Sequence, residues 1–326
     1  MENKAMKQLL PLLLCVALLV GASCVSRPWH RTAGEYVVVQ PGPTDTLESV
    51  AESFGGGEAG LKAIETLNPS ELTPRNTPLL VPAKPAYELG IRSDGYQLVP
   101  VLTYRWVGGA GDGPGLVRVQ ADLLELETSG CNVLSPDDFL SFIRMERSIP
   151  ERSVLLAFEV HHAEEFRALV PQLSRPGLTG LLFVDPALVG TEGALTWEEV
   201  TLLAGEGFEP SLIPTTEDKL SAPAAKESLV GYARRVKEAI TSSHALLARH
   251  TKAPLRFAAY PDNQGNSVMA SVLTSLGIKG IFRQGDGGNP FFSDNLSVVR
   301  MDVGARGAEV PLRRYLDTFR HAELAW

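Results

Sequence analysis

The stretch SVLLAFEVHH, residues 153–162, decides how the larger part of this chain folds. It runs apolar from residue 154 to residue 158 and closes on Glu159, Val160, His161 and His162. An apolar run without polar alternation suits a strand covered on both faces, as in a parallel sheet flanked by helices. In such folds the carboxyl ends of the strands carry the chemistry. Glu159 and the two histidines therefore stand where a site would be. Outward from this stretch, QLVPVLTY, CNVLS, GLLFVD, FAAYP, KGIFR and SVVRMDV repeat the apolar signature. Segments of helical periodicity lie between them at 117–128, 136–145, 164–173, 196–204, 226–250 and 267–276. Thr196 is the expected cap of LTWEEV, and AGEGFEP supplies a Gly turn into the next strand. This alternation predicts an α/β fold with a parallel sheet. On pattern alone an open sheet and a closed barrel both satisfy it.

Composition narrows the functional classes. The 326 residues are 44% hydrophobic and 21% charged, which is enough apolar content for a buried core. A formal net charge of -8 argues against a nucleic-acid partner or an anionic membrane surface. No phosphate-cradling motif follows a strand, so no nucleotide cofactor is expected. Near the start, Lys4 and Lys7 precede LLPLLLCVALLVGASC. Its apolar part, residues 9–20, is short of the roughly 20 residues that span a bilayer, and small residues end it, as in a secretory signal. GASC resembles the bacterial lipobox, although Gly21 stands where that motif usually has Leu. The resemblance implies a signal peptide over residues 1–23 and a lipid on Cys24, anchoring the chain to a membrane of the cell envelope. Val25 replaces the Asp of the inner-membrane retention signal, which implies the outer membrane in a Gram-negative cell. Cys131 is then left without a disulfide partner and reads as a small buried hydrophobe.

Residues 24–34 read as a tether. From 35 to 84, EYVVVQ is a β-branched strand, and Leu47, Val50, Ala51 and Phe54 fall at helical spacing after the cap candidates Asp45 and Thr46. GLKAIETLNPS presents Leu61, Ile64 and Leu67 as a second helix, and TPLLVP closes the unit as a strand. This small βααβ module resembles a LysM domain. The resemblance implies binding of peptidoglycan or another N-acetylglucosamine-containing glycan between two loops. Carried over, the binding residues are Gly42, Thr44, Asp45 and Thr46 in one loop and Leu67, Asn68 and Pro69 in the other. PGPTDTL carries two extra residues in the first loop, and Arg75-Asn76 replace a Gly of the family pattern.

Residues 85–95 read as a linker, and 96–326 as the second domain. There VPVLTYRWV, GCNVLSPDDFLSFI, IPERSVLLAFE, LTWEEVTLLAGEGFEPS, RFAAYPDNQGN and LGIKGIFRQ come in the order and spacing of a polysaccharide deacetylase (NodB-homology) domain. The resemblance implies an irregular (β/α) barrel and, in active members, metal-dependent removal of acetyl groups. There the metal activates a water and polarises the amide, a carboxylate takes the proton and a histidine protonates the leaving amine. Set on this chain, Glu159 holds the general-base position and Val160 that of a metal-binding Asp. Ile213 and Glu217 hold the positions of two metal-binding histidines, and Arg105 replaces a usual His. Tyr260-Pro261 survive, followed by Asp262-Asn263 in place of an aromatic-Gly pair. Hydrocarbon cannot ligate, so the reading is a barrel with no metal, no cofactor and a vestigial Glu159. The alternative is an active deacetylase rebuilt around Glu159 with His161, His162, Glu217 and Asp262. Adjacent strand residues face opposite sides, which sets His161 against His162 as joint ligands. Asp302 reads as a solvated strand end in preference to a barrel-mouth carboxylate, His244, His250 and His321 as surface or helix-end histidines, and Phe291 and Phe292 as aromatics packing beneath their own loop in preference to stacking on sugar rings. No feature names a protein partner.

Overall fold

The computed structural model describes residues 29–33, 36–54, 57–68, 77–82, 88–92, 95–107, 113–175, 177–214, 219–304 and 310–322. The chain divides into two compact units, one up to Ala86 and one from Tyr87. Cys24, Pro69 and Glu217 lie outside the described residues. No helix among those described is long and apolar enough to cross a membrane.

The first unit is a three-stranded antiparallel sheet, β1 (Trp29–Ala33), β2 (Tyr36–Gln40) and β3 (Leu79–Pro82), with helices α1 (Leu47–Phe54) and α2 (Gly57–Leu67) between β2 and β3. Val39, Val50, Ala51, Ile64, Leu79 and Val81 form its core. Val50, Ala51 and Ile64 are periodic positions of the sequence, and Val39, Leu79 and Val81 lie in its apolar strand runs. The strand β1 occupies what reads as tether: it pairs with β2 from Trp29↔Gln40 to Ala33↔Tyr36, filling an edge that the β-branched run would otherwise leave open.

The second unit is a closed barrel of seven parallel strands. In spatial order they are β6 (Val101–Trp106), β8 (Ser153–Val160), β9 (Gly180–Val184), β10 (Phe208–Leu212), β11 (Phe257–Ala259), β12 (Gly280–Gln284) and β14 (Val298–Asp302), which returns to β6. This settles the choice between barrel and open sheet. The segment read as a linker is partly structured, since β4 (Ile91–Arg92) pairs with β5 (Gly95–Val99). QLVPVLTY is two strands, because Pro100 has no N–H and separates β5, paired with β13 (Asn289–Pro290) and β15 (Phe319–His321), from β6. CNVLS yields only β7 (Asn132–Val133), outside the barrel. The strand that follows the Gly turn of AGEGFEP is the stave β10, whose apolar run is interrupted by Pro210. That proline sits where β10 pairs with β9 alone, β11 reaching only Leu212, so its lack of an N–H is tolerated.

Helices α3 (Leu116–Thr128), α4 (Pro136–Ile143), α5 (Glu164–Arg167), α6 (Val170–Leu173), α7 (Trp197–Gly205), α8 (Leu229–Thr251) and α9 (Ser267–Ser275) complete the unit. The expected helix 164–173 is two short ones, with Pro171 opening the second. Thr196 and Glu199 form a capping box at α7. Strand β8 is buried along its whole length. Leu155 and Ala157 join an interior cluster with Leu181, Phe183, Phe257 and Phe282, while Leu156, Phe158 and Val160 join an outer one with Leu123, Phe166 and Val236 from the helices. That period of two places Glu159 inside the barrel and Val160 outside it.

Candidate functional site

All seven staves run in one direction, so Arg105, Glu159, Arg300 and Asp302 meet at one end of the barrel. Arg105 and Glu159 are register partners on β6 and β8. The Arg105 fork donates through Nε to Glu159 Oε2 at 2.9 Å and through Nη2 to Oε1 at 3.1 Å. Its Nη1 donates to Asp302 Oδ2 at 3.1 Å. Arg300 Nη1 approaches Glu159 Oε2 to 2.6 Å, an ion pair outside hydrogen-bond geometry, so Nε and Nη1 of Arg300 have no hydrogen-bond acceptor. The Phe183 ring lies 4.5 Å from the same guanidinium. The Gln284 amide, oriented by its hydrogen bonds, turns its oxygen to Arg105.

Electrostatics follow from this geometry. Burial alone raises the Glu159 carboxyl, but the Arg300 charge and the bonds and charge of Arg105 outweigh it and hold the pKa down to about 2. A carboxylate so acidic is a poor proton acceptor at neutral pH. Burial depresses His161, against the pull of Glu159 and Asp185. Its Nε2 stays 3.6 Å from Glu159 Oε1, beyond hydrogen-bond reach.

The described residues do not fit a metal ion. Val160 is buried against the helix layer, and Ile213 is buried in the interior cluster. Among the described residues no three His, Cys, Asp or Glu side chains converge as a metal-binding group. His161 is half-buried beside Glu159 while His162 is exposed, although both backbone N–H groups donate to the Trp106 carbonyl. Asp262 is exposed in the left-handed region at φ 50°, and the Tyr260 hydroxyl donates to the Leu296 carbonyl at 3.1 Å. Asp302 ends β14 with its side chain 30% exposed, and it is also a barrel-mouth carboxylate, the second one held by the Arg105 fork. His250, read as a surface or helix-end residue, lies in the last turn of α8 and stacks on Trp197 at 3.9 Å between ring centroids. Phe292 is 54% exposed and meets Tyr96 edge-on at 5.2 Å. Cys131 is half-buried and accepts from Ser129 Oγ at 3.3 Å. Arg300 went unread in the sequence. Its signal was a lone charge at a core-facing position of an apolar strand.

In the first unit, Asp45 Oδ2 accepts from the Gly42 N–H at 2.6 Å and closes the loop. Thr46 and Ser49 cap α1 reciprocally, Ser49 N–H to Thr46 Oγ1 at 3.2 Å and Thr46 N–H to Ser49 Oγ at 2.9 Å. Thr44 and Thr46 are exposed, Gly42 is buried and Leu67 is half-buried. The Asn68 amide is engaged inside the fold: Nδ2 donates to the Ile64 and Leu80 carbonyls at 2.6 and 2.8 Å, and Oδ1 accepts from Leu80 N–H at 2.9 Å. It ties the end of α2 to β3.

No family model matches the chain, and no curated protein does. Solved structures do. A de-N-acetylase from Aggregatibacter actinomycetemcomitans superposes with a TM-score of 0.54 at 17% identity, over 67% of this chain and 99% of that one. IcaB from Ammonifex degensii gives 0.54 at 22%, over 65% and 93%. A polysaccharide deacetylase from Bacillus cereus gives 0.51 at 14%, over 76% and 73%. The second unit therefore has the polysaccharide-deacetylase barrel fold.

Proposed function

We propose that this is a glycan-binding protein of the cell envelope whose barrel is a non-catalytic relative of the polysaccharide deacetylases. The observation that carries the reading is Glu159. Both of its oxygens are held by guanidinium groups, and hydrocarbon stands at Val160 and Ile213, where the deacetylase pattern has metal ligands. The first unit, with its sheet, two helices and exposed Thr44 and Thr46, is the LysM-like module that binds peptidoglycan or another N-acetylglucosamine polymer. A lipid on Cys24 anchors the chain, at the outer membrane in a Gram-negative cell.

Two assays on the purified chain test this. Acetate release from N-acetylglucosamine oligomers is expected at background with and without added zinc. Release that Glu159→Ala abolishes would instead establish the active deacetylase. In a peptidoglycan pull-down the full chain is expected to be retained. A Cys24→Ala form, made in the native host, is expected in the soluble fraction, and membrane retention of that form would sink the anchor.

A further inference from the structure

A four-charge cluster surrounds Glu159, the residue that the deacetylase pattern sets at the general-base position beside a metal ion, and its composition is informative. Glu159 and Arg300 are both sealed from solvent, at 4% and 3% exposure. A carboxylate buried that far needs a cation beside it, because removing its hydration is otherwise too costly. In the deacetylase pattern a divalent ion serves that purpose. Here Arg300 comes within 2.6 Å of Oε2, and the Arg105 fork spans both oxygens. Two guanidinium groups, Arg105 and Arg300, face two carboxylates, Glu159 and Asp302, so the formal sum is zero with no further ion. Phe183 offers its ring face to Arg300 at 4.5 Å, an interaction that gains strength in a desolvated setting.

We propose that Arg300, seconded by Arg105, is the resident cation of the barrel mouth, standing in the place of a divalent metal so that the barrel folds without one and keeps one from Glu159. This rests on the non-catalytic reading above and extends it. A metal ion approaching Glu159 meets two fixed positive charges and two oxygens that are already bonded. The other ionisable group facing Glu159 is His161, which also feels Asp185, and it does not change that balance while burial disfavours its charged form.

The test is thermal unfolding and zinc calorimetry on the full chain, comparing wild type, Arg300→Met, Arg300→Lys and the double variant Glu159→Met with Arg300→Met. Wild type is expected to melt at the same temperature with zinc or with a chelator. Arg300→Met is expected to melt lower than wild type, because the buried Glu159 is left with the Arg105 charge alone. The double variant, with both buried charges gone, is expected to melt above Arg300→Met. Should Arg300→Met fail to fold, Arg300→Lys keeps the charge and is expected to fold without responding to zinc. An Arg300→Met protein that melts like wild type, or a zinc response in Arg300→Lys, overturns the assignment. Zinc uptake by wild type without acetate release would remove the resident cation and leave the non-catalytic reading standing. Acetate release by metal-free wild type would do the reverse.

Discussion

The barrel mouth and the loop at residues 42–46 employ similar polar groups to opposite effect. At the mouth, Arg105, Glu159 and Asp302 spend their bonds on one another, Arg300 meets Glu159 as an ion pair, and Glu159 and Arg300 are sealed from water. In the loop, one carboxylate closes a turn and one hydroxyl caps a helix, while Thr44 stands in solvent. A polar side chain recognises a ligand only with the donors and acceptors its own fold leaves over. The mouth has the residue types of a site and little capacity remaining, whereas the loop has modest groups that are exposed.

The largest test of this contrast is Glu159→Ala. It leaves Arg300 buried and uncompensated, and losing one partner of a buried pair costs about 3–5 kcal/mol. Denaturant unfolding of the barrel measures it, and a loss below ~1 kcal/mol would erase the contrast. Acid gives the next effect. The Glu159 carboxyl lies below the ordinary glutamate range, so its stabilisation is complete above about pH 4.3 and is lost as pH falls toward 2. The contribution is on the order of 3 kcal/mol. Glu159→Gln should unfold with a flatter dependence across that window, and curves parallel to wild type would refute the assignment. Asn68→Ala breaks three internal bonds of the first unit and is expected to cost about 1–3 kcal/mol there, with the barrel transition unmoved. The smallest change is Thr46→Ala, at ~1 kcal/mol from the lost cap. Thr44→Ala sharpens the comparison, since it should leave both transitions in place and weaken peptidoglycan retention.

Most of the barrel was legible as a one-dimensional pattern. The apolar run from 154 to 158 needs cover on both faces, and Thr196 with Glu199 marks a helix start wherever the chain goes. The misreadings came from proline and from edges. Pro100 divides one apolar run between two sheets, Pro210 interrupts the apolar run of a stave marked only by the Gly turn before it, and β1 pairs with β2 in what reads as tether. None of these depends on residue type alone.

The chemistry divides in the same way. Hydrocarbon at Val160 and Ile213 is a statement about residue identity, and no arrangement of neighbours lets it bind a metal. What Glu159 became is a matter of neighbours. Arg105 and Asp302 are 197 positions apart in the chain, and Arg300 lies on the stave that closes the barrel. Their convergence depends on strand register and on β14 returning to β6. Charges interact through distance and burial, and both are set by closure of the sheet, while the inability of an aliphatic side chain to donate an electron pair is set when the residue is incorporated.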